Sequence, residues 1–393
     1  MKRKNENLII AALLATAVMQ MGTNGISPIL ADLAEAFPQA GDSTIQFLMT
    51  FPSLMVIIFG LAAGNASQFV PKKWLIFTGS CLFCLGGVLA WLFHGSLPIL
   101  FLWGGLIGAG IGLAVPVNMG LITEIITPSR QATVMGMASS FANLGSMLMT
   151  LIGGYLALIH WSCGYLVYLI AVPAVILSLM VLPVRTAPAE RTEEAAPKGG
   201  MLSLLKEPGV LGPLAIAFCS TLLFNTTPTN LSMQVAELGV GTSAQAGTGL
   251  SLMLLSGAVS CMFYGKISGK LGNYILTLGF GMMCLGQLII AAAPNIWVIY
   301  LGCLIAGASH GNNMAHCLMV GAAHAKGRSG LEASMQTAVS NVGAFCTPVL
   351  TMLAAALSGG SSTAPRFFLG AACAGVIALG IGLVNRARHA KAA

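Results

Sequence analysis

The chain has 393 residues, of which 56% are hydrophobic and only 7% are charged, with a formal net charge of +7. A soluble domain usually carries about 25% charged residues, so this composition excludes an ordinary soluble protein and predicts an integral membrane protein. The ten cysteines all fall inside apolar runs, where a free cysteine behaves as a small hydrophobe. We therefore expect neither disulfides nor a metal site, and no catalytic residues.

Twelve apolar runs are long enough to cross a bilayer as helices, which takes about 20 residues. Strands of a barrel would alternate apolar and polar residues, and these runs do not. The first run follows MKRKNEN and contains Gln20 and Asn24, so we interpret it as a retained span and not as a signal peptide. The predicted spans are residues 8–30, 44–64, 74–94, 97–122, 132–158, 162–182, 209–232, 246–266, 273–293, 295–321, 330–356 and 365–385.

The segment RTAPAERTEEAAPKGG between the sixth and seventh runs is charged and rich in proline and alanine, which is typical of a linker. We predict an N-terminal six-helix half over residues 1–184, a cytoplasmic linker over 185–208 and a C-terminal six-helix half over 209–393. The two halves share a pattern, because a basic loop follows both the second and the eighth run. Arg130 and Arg328 also follow the fourth and tenth runs at nearly the same offset. This pattern predicts a duplicated unit.

The basic residues indicate how the chain crosses the membrane. With a cytoplasmic N-terminus, every lysine and arginine except Arg366 falls on the cytoplasmic side. The short outer loops carry Asp32, Glu35, Asp42 and Glu237 instead. The sequence therefore predicts a multi-pass protein of the cytoplasmic (inner or plasma) membrane with both termini in the cytoplasm.

The loop after the second span, GNASQFVPKKW, carries a family resemblance. In the major facilitator superfamily this loop reads G-x-x-x-D-R-x-G-R-R. The chain keeps Gly64, Lys72 and Lys73 but has Gln68 in place of the aspartate. With this loop and its two six-span halves, the chain resembles that superfamily over its whole length.

Two departures from the family patterns argue against a drug/proton antiporter. Gly104 stands where such members carry a fourth-span arginine. In the fifth span, Met149 and Thr150 stand where the antiporter motif has Gly-Pro. We attribute the remaining glycines of that motif to close helix packing.

The resemblance implies an all-α fold of twelve transmembrane helices in two six-helix halves. It also implies alternating access around a solute site at the midplane between the halves. Spans 1, 4, 7 and 10 would line the path, spans 2, 5, 8 and 11 would flank it, and spans 3, 6, 9 and 12 would face lipid.

Polar side chains within the spans form stripes at helical spacing, mainly in spans 1, 5, 7, 10 and 11. Such groups are costly in lipid, so they face protein or a water-filled cavity. Hydrogen bonding between helices is the alternative for each of them. The predicted substrate-binding residues are Gln20, Thr23, Asn24, Asn118, Asn143, Thr221, Asn225, Asn312, Asn313, His316, Gln336 and Ser340.

No lysine, arginine, aspartate or glutamate lies near the middle of any span. Amides, hydroxyls and imidazoles suit a small neutral, zwitterionic or weakly charged organic solute. Helix dipoles still allow a carboxylate. Charged residues near the cytoplasmic ends are predicted to serve gates or loop contacts. These residues are Glu124, Arg130, Lys270 and Arg328.

His316 and His310 are candidates for proton coupling, because imidazole changes charge near neutral pH. His316 shares the polar arc of its helix, whereas His310 lies past its edge. The alternative is a neutral histidine that is hydrogen-bonded to Asn312, Asn313 or a carbonyl group.

The predicted function is a secondary active transporter, with a proton-coupled multidrug or metabolite efflux pump as the alternative. An intramembrane enzyme would need paired carboxylates or a nucleophile with a base, and the spans contain neither arrangement. The expected partners are a small-molecule solute and the lipid bilayer, with protons as candidates. We expect a monomer that uses no cofactor and binds no nucleic acid.

Overall fold

The computed structural model describes residues 3–67, 69–183, 207, 209–325, 329–360 and 362–392. These residues form helices joined by short turns and contain no β-strand. The predicted all-α fold is therefore confirmed. The chain divides into two compact units, Met1–Glu194 and Ala195–Ala393. The predicted linker, 185–208, falls almost entirely outside the described residues, so its boundaries stay a prediction.

Each unit contains six helices in its described residues, and each helix overlaps one predicted span. The first unit has α1 (Arg3–Ala17, continued by the tighter 3₁₀ segment Val18–Ile29 and by Leu30–Ala36), α2 (Asp42–Ala66), α3 (Lys72–Leu92), α4 (Leu97–Ile125), α5 (Pro128–Leu156) and α6 (3₁₀ segment Trp161–Ala171, then Val172–Val181). The second has α7 (Leu211–Glu237), α8 (Ser243–Leu271), α9 (Ile275–Ala291), α10 (Ile296–His324), α11 (Ser329–Ser358) and α12 (Ala364–Ala392).

Most of these helices can cross a membrane on their own apolar character. Within the described part of the chain, nine are long and apolar enough, and α9 is apolar but shorter. The two others, α7 and α10, have 27 and 29 residues, so their length is sufficient. Their lower hydropathy comes from the asparagines, threonines, serines and histidines that they carry. These two helices therefore depend most on protein neighbours.

Each unit packs around its own apolar core. In the first unit this core joins α1, α3, α4 and α5, with Leu13, Ile76 and Ile122 fully buried. In the second unit it joins α7, α8, α9, α10 and α12, with Phe280 and Phe367 fully buried. The end of each unit that carries the basic loops is called the basic end below.

Small residues allow the same two close helix contacts in both units. A Cβ atom at Gly108 or Gly112 of α4 would run into the backbone of α2, and one at Gly307 or Gly311 of α10 would run into the backbone of α8. Small residues at such positions let membrane helices approach closely. The α2–α4 and α8–α10 pairs thus share one packing mode, as a duplicated unit would.

Leucine at Gly307 should destabilise the protein, because its side chain would meet the Met253 carbonyl, which is backbone and does not yield easily. We expect a loss of about 1–3 kcal/mol, measured as a lower unfolding temperature of the purified protein in detergent. Gly281 is the matched control, since a Cβ there meets nothing within 4 Å. If Gly307→Leu and Gly281→Leu unfold at the same temperature, the close α8–α10 contact is contradicted.

Candidate functional site

Helix α1 is interrupted in the middle of the membrane span. Met21 has φ −107° and ψ 24°, outside helical geometry. Ser146 of α5 donates a hydrogen bond to the Met21 carbonyl oxygen at 3.4 Å. A Cβ at Gly145 would lie 2.8 Å from the Val18 carbonyl oxygen, so glycine lets α5 approach the interruption. Irregular backbone at membrane depth is tolerated where protein satisfies it or where it lines a water-filled cavity.

Three predicted binding residues lie at this interruption. Gln20, Thr23 and Asn24 are each half-buried. The Gln20 Oε1 atom is buried without a hydrogen-bond partner, and within the described residues Thr23 and Asn24 form no hydrogen bond through their side chains. Unused amide and hydroxyl groups beside a broken helix are able to bind a polar solute.

The other predicted residues of the first unit are already bonded to carbonyl groups. Asn118 is fully buried, and its Nδ2 donates to the Leu13 carbonyl oxygen at 3.0 Å, which ties α4 to α1. Asn143 donates to the Ser139 carbonyl oxygen of its own helix at 3.0 Å. Both residues therefore contribute to hydrogen bonds within and between helices, the alternative weighed for them on sequence grounds.

Helix α7 is buried continuously over residues 223–235. Most of its polar side chains form hydrogen bonds with carbonyl oxygens of the same helix. Asn225 donates to the Thr221 carbonyl oxygen at 2.9 Å, and Thr229 donates to the Asn225 carbonyl oxygen at 2.8 Å. The Thr221 hydroxyl contacts Met314 Sδ of α10 at 3.8 Å. This pattern lets a polar helix remain buried.

The α10 polar stripe, which contains GASHGNNMAHC, divides between two neighbouring helices. His310 and Asn313 both face α7: Ser220 Oγ lies 3.2 Å from His310 Nδ1, and Asn313 Nδ2 donates to the same oxygen at 3.4 Å. The ring of Phe224 stacks on His310 with centroids 3.9 Å apart. Ser220 and Phe224 were not among the predicted residues, although both lie close in sequence to Thr221.

His316 faces α8 and not α7. Its Nδ1 atom lies 2.9 Å from the hydroxyl oxygen of Tyr264, and the side chain is half-buried. Asn312 is buried, and its Oδ1 atom has no hydrogen-bond partner among the described residues. Tyr264 was missed because its neighbours in sequence carry no polar pattern that points to α10.

Helix α11 presents predicted residues one turn apart. Gln336 donates from Nε2 to the Met314 carbonyl oxygen at 3.3 Å, which ties α11 to α10. Within the described structure, Gln336 Oε1 and Ser340 Oγ are buried without partners. The stripe therefore combines one helix-to-helix bond with unused acceptor atoms.

The predicted gating residues lie at the basic end. Glu124 forms an ion pair with Lys72, which joins α4 to α3. Arg130 forms an ion pair with Glu6 at 3.4 Å, which joins α5 to α1. Both pairs are partly exposed, so each contributes at most about 1 kcal/mol. Lys270 lies in the last turn of α8. Arg328 falls outside the described residues.

Comparison with known proteins identifies the family. The model of the Major Facilitator Superfamily matches residues 12–348. The chain belongs to this superfamily. Because its members are transporters, the chain is a multi-pass membrane transporter and not an enzyme.

Two curated members of the superfamily are similar in sequence. The chain is 24% identical over 286 residues to the uncharacterized MFS-type transporter YceJ of Bacillus subtilis (strain 168), covering 70% of this chain and 71% of YceJ. It is 21% identical over 299 residues to the inner membrane transport protein YajR of Escherichia coli (strain K12), covering 73% of this chain and 63% of YajR. The match thus spans less than two thirds of the length of YajR.

Solved transporter structures share the fold at low sequence identity. A bacterial homologue of the human lysosomal transporter Spinster has a TM-score of 0.76 at 13% identity, covering 97% of this chain and 96% of that one. A POT family transporter in complex with a thioalcohol-conjugated peptide has a TM-score of 0.74 at 13% identity, with the same coverage. The nucleoside transporter NupG has a TM-score of 0.73 at 9% identity, covering 96% of this chain and 99% of NupG. These similarities confirm the superfamily fold.

Alanine at Ser146 tests whether the α1 interruption depends on α5. Removing this hydroxyl leaves the Met21 carbonyl without its donor from α5, and we expect a loss of about 0.5–1.5 kcal/mol. The measurement is thermal unfolding of the purified protein in detergent. Ser140→Ala is the control, because Ser140 is an exposed residue of α5 that bonds only within its own helix, to Gly136. Equal unfolding temperatures for the two variants would argue against a supporting role for Ser146.

Proposed function

We propose that the chain is a secondary active transporter that moves a small neutral, zwitterionic or weakly charged organic solute across the cytoplasmic membrane by alternating access. The observation that carries this proposal is the interruption of α1 at Met21, with Gln20, Thr23 and Asn24 beside it. Discontinuous helices at membrane depth are a recurring element of transporter binding sites, where they offer oriented dipoles and free side chains to a solute.

The proposed solute class follows from the chemistry of the polar groups. Near the middle of the spans the polar side chains are amides, hydroxyls and imidazoles, and there is no lysine, arginine, aspartate or glutamate. A strongly charged solute in a site of low dielectric would normally need a fixed counter-ion. Two fold neighbours are named for peptides and for nucleosides, and such solutes are compatible with the proposed class. The proposed solute class rests on the side chains of the spans and not on the similarity to those structures.

A proton-coupled multidrug or metabolite efflux pump is the second candidate. The titratable groups His310 and His316, which lie within a span, favour it. Gly104 and Met149, at positions where antiporters of the family carry other residues, weigh against it.

Leucine at Asn24 should reduce transport more than it reduces the amount of folded protein in the membrane. The Asn24 side chain lies at the interruption and forms no hydrogen bond within the described residues, so its replacement removes a proposed solute contact and leaves no described protein group unsatisfied. A thermal-shift screen of the purified protein against metabolite libraries supplies the solute, and counterflow in sealed proteoliposomes measures transport. Asn312→Leu is expected to behave in the same way, because Asn312 Oδ1 is buried without a hydrogen-bond partner among the described residues.

Thr78→Leu is the control for these variants. Thr78 is an exposed residue of α3 that bonds to the Trp74 carbonyl oxygen of its own helix at 2.7 Å, in a span predicted to face lipid. The Thr78→Leu variant should leave counterflow unchanged. Parallel losses of counterflow and of folded protein in the asparagine variants would favour a packing role for these residues.

The proposed orientation places both termini and the segment 185–200 in the cytoplasm. Thr192→Cys, at a position outside the described residues, should therefore resist an impermeant thiol reagent in intact cells and react after the cells are opened. The background lacks the native cysteines, and Glu35→Cys, at an exposed position on the opposite side, should react in intact cells. Ready labelling of Thr192→Cys from outside would overturn the proposed orientation.

A further inference from the structure

A buried carboxyl group lies at the basic end of the second unit. Glu332, in the first turn of α11, is 0% exposed. Neither of its oxygen atoms has a hydrogen-bond partner within the described structure. It lies against Gly321 of α10, where a Cβ atom would overlap one carboxyl oxygen, so the glycine makes room for it. In such surroundings an ionised carboxylate without partners is disfavoured far more strongly than a protonated carboxyl group.

The helices around Glu332 supply no counter-ion among the described residues. Helix α11 packs against α7, α10 and α12. On α10, the titratable side chain that interacts with Glu332 is Cys317, and a thiol cannot serve as a cation. From α7, Val210 and Leu214 pack with Met335, three residues further along α11. No described charged group of α7 or α12 interacts with the carboxyl group. Lys326 and Arg328 precede it and lie outside the described residues.

Packing alone does not account for a glutamate here. Arg130 and Arg328 recur at matching positions in the two halves. Val134 lies four residues after the first, and Glu332 lies four residues after the second. Val134 is only 2% exposed, so this position of the duplicated unit takes an apolar side chain readily. Helix capping is the other simple explanation, because Ser329 and Glu332 have the spacing of a capping box. Within the described structure, however, the carboxyl oxygens have no hydrogen-bond partner.

Unused acceptor atoms continue from Glu332 into the span. Gln336 and Ser340 follow at one-turn intervals on α11, and Gln336 Oε1 and Ser340 Oγ are buried without partners in the described part of the chain. On α10, Asn312 Oδ1 is also buried without one. The oxygen atoms of Gln336 and Ser340 can accept hydrogen bonds from water that carries a proton to or from the carboxyl group.

We propose that Glu332 is a proton-binding site of this transporter, protonated in the conformation described here and deprotonated when its surroundings admit water. On release, the carboxyl O–H bond breaks, the proton passes to a water molecule and the electron pair stays on the carboxylate. The resulting charge favours the hydrated conformation over the buried one. The conformational step is thereby linked to proton movement. The coupling of this step to a solute rests on the proposed transport function.

Infrared spectroscopy of the purified full-length protein tests the proton site without any solute. The wild type should show a carboxylic-acid C=O band at neutral pH that shifts in D₂O, and Glu332→Gln should lose that band. Glutamine keeps the size of the side chain and is neutral, as the protonated carboxyl group is, so folding should be retained. Glu35→Gln, which removes an exposed carboxyl group, should leave the band unchanged. A wild type without the band, or a band that survives in Glu332→Gln, would overturn the proposal.

Proteoliposomes test the coupling, with a solute found by thermal-shift screening. A pH gradient should drive accumulation in the wild type, and Glu332→Gln should lose accumulation while keeping counterflow. If Glu332→Gln still accumulates solute, or if accumulation follows a sodium gradient instead, coupling through Glu332 is refuted. Loss of accumulation in His316→Gln but not in Glu332→Gln would assign coupling to the histidine. A wild type with the infrared band but without counterflow for any solute would contradict the transport function and still support the proton site.

Discussion

The structure depends on one constraint: polar groups within the spans must find hydrogen bonds inside the protein, because lipid offers none. Most side chains meet this requirement along their own helix. Thr16 donates to the Ala12 carbonyl oxygen at 3.0 Å, and Asn230 donates to the Thr226 carbonyl oxygen at 2.9 Å. Others bridge helices, as Asn118 does. Unsatisfied atoms also occur on residues that join helices, such as Asn118 Oδ1, so an unsatisfied atom indicates a functional position only together with other evidence, such as the interruption of α1.

The interruption of α1 and the glycines around it have a single physical explanation. Because the backbone at Met21 is not helical, backbone groups there need a hydrogen bond from a neighbouring helix. Gly145 brings α5 close enough for Ser146 to do so. On another side, Gly22 leaves room for the ring of Phe83. The backbone is thus held in an irregular conformation, while Thr23 and Asn24 need no protein partner.

The sequence predicted the fold well because span length and loop charge are set by the bilayer and can be counted along the chain. It predicted which residues share a face of α10 but not which helix that face meets. An angular position on one helix carries no information about its neighbour, so the Ser220 contact of His310 and the Tyr264 contact of His316 stayed hidden. The 3₁₀ segment of α1 was missed for a related reason. The apolar run contains the same number of residues whether they form an α-helix or a 3₁₀-helix.

Glu332 shows where a sequence argument based on position is weakest. It lies beside a basic loop, as Glu124 does, and Glu124 forms an ion pair with Lys72. The two carboxyl groups are not counterparts, since Val134 occupies the position of Glu332 in the first half, and their surroundings differ. The first half neutralises Glu124 with a neighbouring cation, a fixed arrangement that costs little at a partly exposed surface. The second half buries Glu332 without a cation partner among the described residues, which is why we propose a proton as its partner. If the two halves are repeats, the proposed sensitivity to protons arises from one side chain, because the first half has Val134 where the second has Glu332.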